Sequence, residues 1–208
     1  MPNQRFNRES VLEAALQLVR ERGYDALSAR TVAERAGCSV QPIYSLFGDM
    51  EGLMRALYEH ARAWVTAFNG EHAADGENLF QSNGLAHLRL AREEPLLFSF
   101  LYLSPYLGAR SLEDLYISVS QPGVEDCIIE LGHLDATAAH ELYLNMIVYT
   151  HGLAAIIAAG AEIPQAELAE RMYVAFCAFA IAVGGHPRTP SGDEALPRRT
   201  EPAGSDAR

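Results

Sequence analysis

Residues 28–47, Ser-Ala-Arg-Thr-Val-Ala-Glu-Arg-Ala-Gly-Cys-Ser-Val-Gln-Pro-Ile-Tyr-Ser-Leu-Phe, pack two helix starts and two helix ends into twenty positions. Ser28 is a hydroxyl able to cap a helix by accepting from an orphan backbone N–H. Val32, Ala33 and Ala36 then fall on one face. Gly37 offers the left-handed conformation that ends a helix. Ser39 is expected to cap a second helix, with Pro42 in its first turn, where a missing N–H costs little. Ile43 and Phe47, four apart, point inward and leave Gln41, Pro42, Tyr44 and Ser45 on the outer face. Two short helices across a tight turn, the second presenting small and polar groups, form the helix-turn-helix layout that enters a DNA major groove.

Further pieces stand at fixed offsets from this segment. Ala14-Ala15-Leu16-Gln17-Leu18-Val19 and Gly23-Tyr24-Asp25-Ala26-Leu27-Ser28 precede it, and a helical run from Asp49 to Leu57 follows. With Val32 to Ser39 and Ile43 to Phe47, residues 8–58 resemble the DNA-binding domain of the TetR family of bacterial transcriptional repressors. The resemblance implies a DNA-reading face at Arg30, Thr31, Ser39, Val40, Gln41, Pro42, Tyr44 and Ser45. Gln41 is the best base reader, because its amide pairs bidentately with adenine. Val40 and Pro42 offer apolar contact to a thymine methyl. Tyr44 stands where the family has a tyrosine that reaches phosphate. Arg30 and Thr31 sit in the first turn of the preceding helix, where charge or a hydroxyl holds the backbone. Two positions depart from the family. Met50 replaces a phosphate-binding lysine, and Ser45-Leu46 replaces an aromatic or histidine pair.

Charge has to be reconciled with a nucleic-acid partner. The chain of 208 residues carries a net charge of −11 and contains no lysine. Residues 1–47 hold six Arg against five acidic residues, while residues 48–208 hold ten Arg against twenty-two. The acidic excess therefore lies outside the reading head, where it need not meet phosphate.

No long stretch alternates with period two, and the chain reads as all-α with about nine helices. Helix one is expected over Arg8 to Glu21 behind a short arm carrying Arg5. Asp49 caps a long fourth helix striped by Leu53, Leu57, Trp64 and Phe68, and a polar loop is expected over 70–78. Helices follow near 79–93, 95–106, 111–131 with a break at Gln121-Pro122-Gly123, 135–160 and 164–183. The expected domains are a helix-turn-helix head over 1–48, a ligand-binding and dimerisation bundle over 49–185, and a disordered tail over 186–208 rich in Pro, Gly and charge. Arg198 and Arg199 in that tail carry at most a weak attraction to nucleic acid.

The last two helices are apolar on most sides, as in Ala154-Ala155-Ile156-Ile157-Ala158-Ala159 and Val174-Ala175-Phe176-Cys177-Ala178-Phe179-Ala180-Ile181-Ala182. A helix apolar all round is buried all round. The economical solution is a four-helix homodimer interface made by 135–160 and 164–183 of each chain. A two-fold dimer also spaces two heads one DNA turn apart, so the operator is expected to be a pseudo-palindromic duplex.

Beyond residue 70 the resemblance is looser. Arg92 to Phe98 and Tyr149-Thr150-His151-Gly152-Leu153 look like segments found in a subset of the family. A cavity for a small-molecule effector is expected among helices four to eight, with Trp64, Phe68, His87, Phe98, Tyr102, Tyr106, Tyr143, Met146 and His151 as candidate liners. An effector would act by favouring a conformer whose heads are wrongly spaced. Repression as the sign of control comes from the resemblance.

Other functions fit less well. The sequence has no Gly-rich phosphate loop, no Gly-x-Ser-x-Gly elbow and no His-Glu-x-x-His, so no catalytic residue and no cofactor is expected. Cys38, Cys127 and Cys177 are scattered and odd in number, which fits a reducing cytoplasm and no disulfide framework. Cys127, His133 and His140 would form a metal site only if one helix aligned them, and Gly132 and Asp135 interrupt it. No metal is therefore expected. The apolar run 147–163 contains Tyr149, His151, Gly152, Gly160 and Glu162, against a membrane span. The alternative kept open is the same DNA-binding scaffold controlled by a protein partner or a metal.

Overall fold

The computed structural model describes residues 7–186. The arm with Arg5 and, apart from His186, the tail expected from residue 186 lie outside the described residues. Within them the chain is all-α: α1 (Arg8–Arg22), a 3-10 turn (Tyr24–Ala26), α2 (Ala29–Ala36), α3 (Gln41–Phe47), α4 (Met50–Glu71), α5 (Leu79–Glu93), α6 (Pro95–Phe98), α7 (Leu112–Val119), α8 (Val124–Gly132), α9 (Ala136–Ala158) and α10 (Gln165–Ala182).

Several of these boundaries have the causes anticipated from the sequence. Ser28 accepts from the Thr31 N–H, and the Thr31 hydroxyl returns the bond from the Ser28 N–H, closing a capping box. Gly37 ends α2 at φ +73°, where a side chain would be strained. Asp49 caps α4 through the Gly52 N–H, and Asp135 caps α9 through the Ala138 N–H. Pro164 opens α10. Three expectations need correction. Ser39 does not cap α3; the flanking residue is Val40, whose carbonyl accepts the Ile43 N–H, and no side chain caps the start. Helix α4 continues to Glu71, so Gly70 belongs to it and the loop begins at His72.

The third correction matters most, because the single helix expected over 95–106 is broken. After α6 the backbone loosens into a π-helical turn over Ser99–Leu103, followed by a 3-10 turn over Pro105–Leu107. Ser99 and Ser104 each donate a hydroxyl to the carbonyl four residues back, at 2.9 Å and 2.5 Å, a habit that bends helices. Pro105 has no N–H to give to the Leu101 carbonyl. That carbonyl instead accepts the Tyr58 hydroxyl of α4 at 3.0 Å. The irregular run is thereby tied to the helix that leaves the head.

Helices α1 to α3 pack around Val11, Ala15, Leu16, Val19, Val32 and Ile43, all essentially without exposure. The same cluster runs without a gap through Leu53 and Leu57 of α4 into Leu90, Leu97, Phe98, Phe100 and Leu101. A second cluster, around Val124, Ile128, Leu142, Tyr143 and Met146, joins α8, α9 and α10. Helix α9 has the length and apolar composition of a membrane span, but it packs against α5, α8 and α10 inside the bundle.

Candidate nucleic-acid interface and internal cavity

Helix α3 lies across the head with Ile43 fully buried and the opposite side open. Ser39, Gln41 and Ser45 are exposed, Tyr44 is half exposed, and Val40 and Pro42 are intermediate because Val40 also touches the core. Tyr44, Arg30, Val40 and Met50 line one open groove between α2, α3 and α4. Arg30 is exposed and enters no ion pair among the described residues. The Thr31 hydroxyl has less to offer phosphate, because its one proton is already directed at the Ala26 or Ser28 carbonyl. Ser45 directs its proton to the Pro42 carbonyl at 3.1 Å.

Two further arginines of the head are spent on structure. Arg35 forms a two-point ion pair with Glu21 of α1. Arg8 places its guanidinium 4.7 Å over the Phe47 ring and donates to the Leu46 carbonyl at 3.1 Å. It thus pins the C-terminal end of α3 to the start of α1, where a cation also meets the negative end of the helix dipole. Sequence inspection gave no hint of this role, since Arg8 and Phe47 are 39 positions apart.

The bundle holds a partly open cavity between α4, α5, α9 and α10, with an empty volume of about 580 Å³ counting the solvent at its mouth. Five of the nine expected liners stand on its wall: His87, Tyr102, Tyr143, Met146 and His151. The other four do not. Trp64 lies under the Arg20 guanidinium at 4.7 Å and stacks on Phe68. Phe68 in turn meets His72. Tyr106 packs on Tyr24 and Phe100 toward the head. Phe98 is wholly buried behind His87 and Tyr102, at ring separations of 5.2 Å and 5.1 Å. An aromatic stripe by itself does not distinguish a wall from the core behind it.

The missed liners include Asn69, Phe80, Asn83, Gln121, Thr150 and Met172. Asn83-Gly84, a polar and a side-chain-free residue in mid-helix, was a legible signal; the others carried none. At one end of the cavity the Tyr143 hydroxyl accepts from Asn83 Nδ2 at 3.4 Å and from the Gln121 N–H at 3.2 Å. At the other, the rings of His87 and His151 lie 5.7 Å apart beside Tyr102. His87 has its Nε2 buried and without a partner among the described residues. Burial, and secondarily the neighbouring His151, holds its imidazole down to about 3. Burial also lowers His151. The same cause pushes the Tyr102 and Tyr143 phenols up to about 12. All four groups are therefore neutral near pH 7.

His133 adopts a left-handed conformation at the end of α8 and breaks the line toward His140. His140 instead meets Glu113 and Glu125 and lies on the Tyr116 ring.

The architecture is that of a helix-turn-helix head continuous with an all-helical body that holds a cavity. Residues 11–57 match the family model described as bacterial regulatory proteins, tetR family. The match is confined to the helix-turn-helix head and the first part of α4, and it is to a family of DNA-binding regulators. The chain is 30% identical over 69 residues to the HTH-type transcriptional repressor ComR of Escherichia coli K12, a match spanning 33% of this chain and about a third (31%) of that relative. The fold is similar to a TetR family protein from Vibrio parahaemolyticus, with TM-score 0.57 and 21% identity over 81% of this chain and 96% of that one. It is also similar to a TetR family transcription regulator from Marinobacter aquaeolei VT8, with TM-score 0.50 and 20% identity over 87% and 96%.

Proposed function

We propose that the protein is a homodimeric repressor, acting in the cytoplasm on a pseudo-palindromic operator and released from it by a small molecule held in the bundle cavity. In this division of labour residues 1–48 read DNA, and residues 49–185 sense and pair. Gln41 reads a base edge, Val40 and Pro42 supply apolar contact, and Arg30 and Tyr44 hold phosphate.

One observation carries the coupling. The run from Glu94 to Leu103 touches both ends of the molecule. Phe98 and Tyr102 pack on His87 and His151 at the cavity. Glu94 binds Arg20 of α1, and Phe100 lies 5.7 Å from Tyr24 and 5.8 Å from Tyr58. A ligand that displaces Tyr102 therefore shifts groups that seat α1 and α4. Pairing has its own support: Val148 and Ile156 of α9 and Val174 and Ile181 of α10 are 44–66% exposed in the single chain. Apolar surface left open on two adjacent helices fits a second copy of the same two helices.

The test is a fluorescence-anisotropy titration of the full chain on the duplex flanking its own gene, with a shuffled duplex as control. Sequence-selective binding by two protomers, reversed by a cavity ligand, is the expected outcome. Equal binding to both duplexes across the flanking region, or one protomer per site, contradicts it.

A further inference from the structure

We propose that the cavity takes an uncharged, elongated aromatic molecule with a hydroxyl or carbonyl group at each end. This rests on the cavity being an effector site and goes further by naming the chemistry it selects.

The cavity has two polar ends and an apolar middle. Tyr143 and His151 lie eight residues apart on α9, hence about 12 Å along the axis, and Asn83 and His87 stand one turn apart on α5. Tyr143, Asn83 and Gln121 gather at one end, His87, His151 and Tyr102 at the other, with Met146, Ile147 and Met172 lining the wall as apolar groups. At the first end the Tyr143 oxygen accepts two hydrogen bonds, which uses both its lone pairs. Its own proton remains to be donated, so a ligand there must present an acceptor. The buried side-chain atoms that lack any partner among the described residues are His87 Nε2 and His151 Nδ1 at the second end, and Asn69 Oδ1 contributed to the same wall by α4. All three belong to residues of this one cavity wall. Buried polar atoms without partners are costly, and their clustering around one void marks where an incoming group would supply the missing bonds.

Charge is excluded by the same wall. Among the described residues no Arg, Asp or Glu lines the cavity, and the two imidazoles are held neutral. A carboxylate or ammonium would enter with no countercharge, whereas a hydroxyl is both donor and acceptor and satisfies either end. The rings of His87, Tyr102, His151 and Phe80 favour an aromatic body.

The probe series is 2,6-dihydroxynaphthalene, 2-naphthol, naphthalene and 2,6-naphthalenedicarboxylate, titrated calorimetrically into the full-length protein and its Tyr143→Phe, His151→Phe and Gly84→Leu variants. The diol should bind tightest. Each hydroxyl removed should cost roughly three- to tenfold, and the dicarboxylate should bind on the order of a hundredfold more weakly. Tyr143→Phe and His151→Phe should each lower the diol toward the mono-ol while leaving naphthalene unchanged, which separates a lost bond from a lost fold. Gly84→Leu fills the wall and should weaken every probe. If the dicarboxylate matches the diol, or all four bind alike, the chemical class is wrong while the cavity survives as a site. If no probe binds, or Gly84→Leu changes nothing, the cavity is not a ligand site and the effector reading falls with the proposal.

Discussion

Arg20 of α1 and Glu94, 74 positions later, form a two-point ion pair with Nε–Oε2 at 3.0 Å and Nη2–Oε1 at 2.5 Å, and the Arg20 guanidinium also covers the Trp64 ring. One side chain thus joins the head, the long helix α4 and the residue that opens α6. The pair is partly buried and bidentate, which places it above an ordinary surface ion pair. A double-mutant cycle with Arg20→Ala and Glu94→Gln should give a coupling of about 1 kcal/mol in urea unfolding. If the pair also relays the signal, Glu94→Gln should reduce ligand-driven release from DNA more than it reduces DNA affinity. Coupling near zero would leave the pair an incidental contact.

Acid should destabilise the protein through the cavity histidines. His87 titrates near 3 when folded and near its ordinary 6.5 when unfolded. Below about pH 6.5 the unfolded chain binds a proton that the folded one refuses. The stabilisation is therefore whole above that pH and is lost as pH falls toward 3, at up to about 1.4 kcal/mol per pH unit. His151 acts in the same direction. Glu13 and Asp114, whose carboxyls are held low by their hydrogen bonds, add their losses only at lower pH. The informative quantity is the difference between wild type and His87→Phe in denaturant midpoints from about pH 7 to 4.5. The variant should lose acid sensitivity; parallel curves would mean that His87 takes up its proton in the folded state.

The head was legible because its signals are local. Caps such as Ser28 and Asp49, the left-handed Gly37, and the apolar spacing of Val32 and Ile43 each act within a turn of chain. The Ser99–Leu103 turn was not legible, because its cause is distributed. Pro105 frees the Leu101 carbonyl, and the bond that compensates comes from Tyr58, 43 positions away. The cavity was half legible for a related reason. Polar residues on apolar helices, such as His87 and His151, flag a wall, but whether Phe98 or Tyr102 faces the void depends on packing from three other helices. Arg35 shows the same limit on the head, since its partner Glu21 lies on a different helix.

Pairing through α9 and α10 predicts a sharp response to charge on that face. Ile181 is 66% exposed and Val174 46%. Ile181→Arg and Val174→Arg put two like charges at a symmetric contact without touching the intrachain core, which α10 meets through Leu168, Ala175 and Ala180. Light scattering should show the wild-type dimer replaced by folded monomer, with operator binding weakened because each head then binds alone. Variants that remain dimeric would place the interface elsewhere.

DNA binding should be selective but only mildly salt-dependent. Among the described residues the head has few free cations: Arg35 is held by Glu21, Arg8 by Phe47 and the Leu46 carbonyl, and Met50 supplies no charge. Eight phosphate contacts per dimer would give a log–log salt slope near −7, and the expected slope is well short of that. Two substitutions separate the roles. Gln41→Ala should cost about 1–3 kcal/mol on the operator and relax preference at one base pair per half-site, with the salt slope unchanged. Arg30→Ala should weaken operator and shuffled duplex alike and flatten the slope by about two contacts per dimer, one from each head. Anisotropy titrations at several salt concentrations measure both. If Gln41→Ala weakens the two duplexes equally, α3 reads no base at that position, and selectivity must come from the flanking Val40 and Pro42 or from the shape of the DNA.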